Sequence, residues 1–108
     1  MHLRTLSLAL LLSIGIAGPT MAAGARPFYG EAVLATPVSA PKETTLDGVT
    51  WRCEQDKCIG TADLWSTLDS HMRECRKVAA ALGTLMSYQS RGRSMSSRNV
   101  SSCNRSVS

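Results

Sequence analysis

The residues with the most chemistry to offer are four cysteines, Cys53, Cys58, Cys75 and Cys103. A four-thiolate zinc centre pairs its ligands across about two intervening residues. Here the gaps are four, sixteen and twenty-seven residues, and His71 is the only histidine after position 2. The spacing argues for no metal site. A Cys-x-x-Cys redox site is also absent, because Glu54-Gln55-Asp56-Lys57 separates Cys53 from Cys58. An even number of cysteines in a short exported chain points instead to a disulfide framework. Four cysteines allow three pairings. If strands run into and out of the polar 54–57 turn, Cys53 and Cys58 face each other across a hairpin. The favoured pairing is therefore Cys53–Cys58 with Cys75–Cys103, and a small thiol–disulfide protein using Cys53 and Cys58 is the alternative function.

Other catalytic groupings are thin. His71 has Asp69 and Glu74 close in sequence, but a general base needs a nucleophile and an oxyanion donor beside it. The many serines lack a Gly-x-Ser-x-Gly setting, so His71 is read as a solvated histidine at a helix start. Paired carboxylates for glycoside chemistry need one acid in a dry pocket, and Asp63, Asp69, Glu54 and Asp56 are loop acids. No phosphate-cradling glycine loop appears among the eight glycines. The expectation is no catalytic residues, no cofactor and a non-enzymatic role.

The need for an oxidising compartment turns attention to the first residues. Met1-His2-Leu3-Arg4-Thr5 carries positive charge, and the apolar run Leu6–Ala17 is broken by Gly18-Pro19. Small residues then stand at Ala22, Ala23 and Ala25. This is the pattern of a secretory signal peptide. A membrane-spanning helix needs roughly 20 apolar residues, so cleavage is the preferred reading, after Ala22 with Ala25 second. The mature chain, residues 23–108, has no further run of spanning length and is expected in the periplasm or outside the cell.

Elements to position the cysteines follow from periodicity. Residues 23–28 read as a flexible lead-in, 29–104 as one small domain and 105–108 as a tail. Tyr29–Pro37 looks extended, and the prolines in 37–42 make a connector. Within Thr44–Cys53, Val49, Trp51 and Cys53 share one face at period two, with Asp47-Gly48 as a tight turn. Cys58–Ala62 returns as a short strand. Ser70 or Asp69 caps a helix that Gly83 ends. Met72, Cys75, Val78, Ala79 and Leu82 form its buried stripe, with Arg73, Glu74, Arg76, Lys77 and Ala81 mostly elsewhere. In Thr84–Ser90, Leu85 falls on one side and Met86 with Tyr88 on the other. Arg91-Gly92-Arg93 is a turn, and Cys103 pins a short helix in the serine-rich segment beyond. Trp51 is assigned to the core. The fold class expected is α+β: a disulfide-stapled single domain with a short antiparallel meander and one main amphipathic helix.

The string Trp51-Arg52-Cys53-x4-Cys58 resembles small exported bacterial proteins of unknown function. So do Cys75-Arg76-Lys77-Val78-Ala79, Leu82-Gly83-x-Leu85-x-Ser87-Tyr88, and a late Gly92 followed by Cys103-Asn104. Proteins of that kind share a signal peptide, a Trp-x-Cys turn, a helix-borne third cysteine and a closing Cys-Asn. The resemblance implies export and one stapled domain, and it brings no mechanism.

Charge is the remaining signal. Residues 26–74 carry five basic and eight acidic groups, whereas 75–108 carry Arg76, Lys77, Arg91, Arg93, Arg98 and Arg105 and no acid. A basic half can meet an anionic envelope component, or the two halves can neutralise each other on folding. Nucleic acid is not an expected partner, since few aromatics accompany the arginines for base stacking. Trp65, Arg91, Arg93 and Arg98 are the candidate contacts for an envelope component or another exported protein.

Overall fold

The computed structural model describes residues 27–64 and 69–107. The signal-peptide reading of 1–22 and the contact assigned to Trp65 lie outside the described residues. The chain forms a six-stranded antiparallel sheet with two α-helices and two disulfides, a small α+β domain. The strands are β1 (Phe28–Leu34), β2 (Lys42–Leu46), β3 (Val49–Glu54), β4 (Lys57–Ala62), β5 (Leu85–Ser90) and β6 (Arg93–Ser94). Helix α1 (His71–Leu82) lies between β4 and β5, and α2 (Ser97–Cys103) runs into a 3-10 turn at Asn104–Ser106.

The strand order is β2-β3-β4-β1-β5-β6. The expected short antiparallel meander is β2-β3-β4, and β1 is inserted between β4 and β5. It pairs with both along nearly its whole length, Ala32 facing Cys58 on one side and Tyr88 on the other. Burial explains this central position. Phe28, Ala32 and Leu34 are buried with Gly30 between them, and Glu31 and Val33 are half-buried on the opposite face. Strand β1 thus starts at Phe28, the last residue of the segment expected as lead-in. The extended segment also ends earlier than Pro37, because Pro37 and Pro41 flank the connector into β2.

Two tight turns use left-handed backbone at both central residues. Asp47-Gly48 (φ 49° and 82°) joins β2 to β3, and Arg91-Gly92 (φ 55° and 75°) joins β5 to β6. Positive φ at both central residues matches the right-handed twist of the flanking strands. Glycine supplies the second position without a Cβ penalty.

The core lies between one sheet face and the helices. Trp51 is 1% exposed, meets Phe28 edge to face at 6.1 Å and lies 6.2 Å from Tyr88. The indole packs directly on β4, where a Cβ on Gly60 would stand 2.6 Å from its ring. Gly60 is therefore the residue that lets Trp51 lie flat against the sheet. Helix α1 begins as the spacing predicts: Ser70 Oγ accepts from the Arg73 amide, and Gly83 follows the last turn.

One strand departs from its expected faces. Leu85 and Tyr88 are both buried, while Met86 is 65% exposed. The register explains it: Val33 faces Ser87 but Leu34 faces Leu85, so Met86 is the extra residue of a β-bulge. The bulge changes the strand's parity and brings Leu85 and Tyr88 to the same face. The C-terminal segment closes the fold. Asn104 Oδ1 accepts from the Leu85 amide and its Nδ2 donates to the Leu85 carbonyl, both at 2.8 Å. The side-chain amide thereby acts as one residue of a neighbouring strand beyond the bulge. Arg105 belongs to the 3-10 turn and Val107 packs against the core, so the expected tail is in large part folded.

Candidate functional site

Both expected disulfides are present, Cys53–Cys58 and Cys75–Cys103. Cys53 and Cys58 are directly opposed across the β3–β4 hairpin. Cys75 reaches from the buried stripe of α1 to the end of α2. All four cysteines are at most 1% exposed. Disulfide exchange requires a thiolate to approach a sulfur along a clear path, and the folded hairpin offers none at Cys53 or Cys58.

The most concentrated polar chemistry was not visible in the helical spacing. Glu74 was expected away from the buried stripe, yet it is 8% exposed and points beneath α1. Tyr88 Oη donates to Glu74 Oε1 at 2.6 Å, and Ser90 Oγ donates to the same oxygen. Glu74 Oε2 lies 3.3 Å from Arg91 Nε. Burial first, then the hydrogen bond to Glu74, pushes the Tyr88 phenol far above its ordinary range, so it stays a donor. Positions i and i+1 of a helix are 100° apart, so a stripe centred on Cys75 has room for Glu74 at its margin. The signal that could have found it is the pair of hydroxyl positions, Tyr88 and Ser90, that share a strand face with Leu85 once the bulge is counted.

His71 also differs from its expected solvated setting. It is half-buried, with its ring 5.6 Å from Tyr88, and its Nε2 is buried with no hydrogen-bond partner among the described residues. Burial lowers its pKa, and Arg93 and Arg91 lower it further, against the opposing pull of Glu74. The helix packs its first turn on β5, which draws His71 over the tyrosine.

The charged residues sort in a way the sequence suggested only in outline. Lys77 Nζ lies 2.7 Å from Asp69 and 3.1 Å from Asp47, tying α1 to the β2–β3 turn. Arg91, expected as a partner contact, instead turns inward to Glu74, with its side chain 18% exposed. Its amide donates to the Tyr29 carbonyl at 3.1 Å, which fixes the turn that directs it. Arg93 and Arg98 are exposed. Among the described residues nothing covers the other sheet face, which forms two adjoining troughs of about 710 and 660 Å³ that share Arg52 and Thr61. Their walls mix Glu54, Glu43 and Asp63 with Arg52 and Lys57. No cluster of metal-ligating side chains occurs among the described residues.

The fold and its buried cysteines define a small, doubly disulfide-bonded α+β protein whose polar centre is closed to solvent and whose open features are surfaces. Residues 11–105 match a family of unknown function, DUF8200, and the chain belongs to that family. No curated protein and no solved structure matches it. No helix among the described residues is long and apolar enough to cross a membrane, and the disulfides suit an oxidising environment.

Proposed function

We propose that this is a bacterial protein exported through its N-terminal signal, cleaved after residue 22, and acting without catalysis in the periplasm or outside the cell as a binding or accessory protein. The observation that carries the reading is the fate of its reactive groups. Every cysteine is consumed in a buried bridge, and the buried acid–hydroxyl cluster of Glu74 with Tyr88 and Ser90 holds α1 to β5. What faces outward is charge, and surface charge acts by association. The partner class that fits is an anionic component of the envelope.

Intact mass of the exported protein, with alkylation before and after mild reductant, tests the first half. The expected species lacks residues 1–22 and has no thiol to alkylate until it is unfolded and reduced. A free thiol in the folded protein, or a bridge opened by mild reductant alone, would overturn the binding reading in favour of thiol exchange at Cys53 and Cys58. Co-sedimentation with envelope material tests the second half. Retention at low salt and release at high salt is expected, and no retention at low salt refutes it.

A further inference from the structure

We infer that the surface of the helical layer is a docking face for a bilayer of anionic lipid. This rests on the binding reading above and names its partner. The helices cover one side of the sheet, so the side of α1 opposite its buried stripe of Cys75, Val78, Ala79 and Leu82 faces outward. That side carries Arg73, Arg76, Lys77 and Ala80, all exposed. In α2 the buried residues are Val100 and Cys103. Arg98 stands about 200° around the helix from Val100 and also points away from the core. Arg105 is exposed in the turn that follows. The Cys75–Cys103 bridge holds the two helices side by side, with Cα atoms 5.8 Å apart.

What makes the face positive is where the acids have gone. Glu74, the sole carboxylate of α1, is buried against Arg91. Asp47 and Asp69 both lie against Lys77. No Asp or Glu occurs from 75 to 108. Among the described residues, Arg73, Arg76, Arg98 and Arg105 are exposed and none of the four is ion-paired with a carboxylate. A guanidinium matches phosphate in charge and in hydrogen-bond geometry.

The shape favours a bilayer over an acidic polymer. A flexible polyanion gains most from a groove that follows its backbone, but both troughs lie on the opposite sheet face and are lined partly by carboxylates. The arginines are spread over two helices that share one layer. A plane of headgroups can meet all of them at once. Each basic side chain brought to an anionic membrane surface strengthens partitioning by about five-fold.

The test uses protein recovered from the exported fraction and vesicles of phosphatidylglycerol mixed with phosphatidylcholine. The protein should sediment with them at low salt and be released at about 1 M salt, where screening acts within about 3 Å. Pure phosphatidylcholine vesicles should not retain it, and they report any insertion of an unprocessed Leu6–Ala17 run. Arg76→Ala and Arg98→Ala should each weaken partitioning about five-fold, with unchanged melting, while Arg52→Ala on the opposite face should leave it as it was. Equal binding to uncharged vesicles, or equal loss from all three variants, overturns the inference. Retention on lipid-stripped envelope material with the same dependence on Arg76 and Arg98, and none on vesicles, also overturns it and leaves the binding reading standing. Retention on neither material refutes both.

Discussion

Replacing Glu74 by alanine isolates the interaction that most tightly joins the helix to the sheet. Glu74 is 8% exposed, accepts from two donors, Tyr88 Oη and Ser90 Oγ, and is ion-paired through its second oxygen with Arg91, whose Nε lies 3.3 Å away. Removing one member of a buried ion pair costs about 3–5 kcal/mol, because the remaining charge stays desolvated. A hydroxyl left without its acceptor adds about 1 kcal/mol. Some relief comes from Arg91, whose side chain is 18% exposed and can turn outward. We therefore expect a loss of about 4 kcal/mol, a large share of the roughly 5–15 kcal/mol that holds a domain folded. For a domain of this size that is a fall in Tm of about 20 °C. Glu74→Gln keeps an acceptor for Tyr88 and should lose about half as much. Thermal and urea unfolding followed by circular dichroism give the numbers. Combining Glu74→Ala with Arg91→Ala should cost less than the two single losses added, since the uncompensated charge is gone. Melting of Glu74→Ala within about 5 °C of the parent, or simple addition of the two losses, would refute this role for Glu74.

Four further outcomes follow from the geometry. Gly60→Ala places a methyl 2.6 Å from the Trp51 ring and should destabilise by about 1–3 kcal/mol through overpacking, with a changed Trp fluorescence spectrum as its signature. The Cys75–Cys103 bridge spans 28 residues and Cys53–Cys58 spans 5. By loop entropy, replacing the first pair by alanine should cost about 3.6 kcal/mol and the second about 2 kcal/mol; equal urea midpoints for the two double variants would contradict this. Asn104→Ala removes two hydrogen bonds to Leu85 and should cost about 1–3 kcal/mol, while hydrogen exchange at the Leu85 amide should accelerate. Burial lowers the His71 pKa, so the unfolded chain takes up its proton at higher pH than the folded one. His71 therefore contributes stability that is full above about pH 6.5 and is lost as pH falls from there through its lower folded value. Tm measured between about pH 5 and pH 7.5 should decline on the acid side, and His71→Gln should flatten that decline.

Much of this was legible in the residues themselves. Ser70 and Gly83 mark the ends of α1, Asp47-Gly48 marks a hairpin, and the polar spacer between Cys53 and Cys58 places those cysteines across from each other. Each is a local signal carried by adjacent residues. What escaped depends on distant partners. The insertion of β1 between β4 and β5 follows from covering both its edges, which no spacing within residues 28–34 records. The bulge at Met86 depends on the register with β1, and without it Tyr88 is assigned to the wrong face. That error hides the site: with Tyr88 turned outward, nothing calls Glu74 into the interior, and Arg91 looks like a free contact. The sequence charge count was right in sum, but only the pairing of Glu74, Asp47 and Asp69 shows which arginines face outward.

The place of β1 also dictates the order in which the molecule can be assembled. It is the first strand to leave the ribosome, yet its neighbours, β4 and β5, are made about thirty and sixty residues later. The β2–β3–β4 meander and the β5–β6 hairpin can each begin from short-range turns, but they share no edge. Only β1 joins them, and it closes the longest loops in the sheet, a slow step because the chain entropy is lost before the contacts are gained. A nascent chain in which β5 has not yet appeared cannot complete its sheet at all. The architecture thus postpones completion of the sheet until Leu85–Ser90 has been made, so the two hairpin units stay separate through most of synthesis.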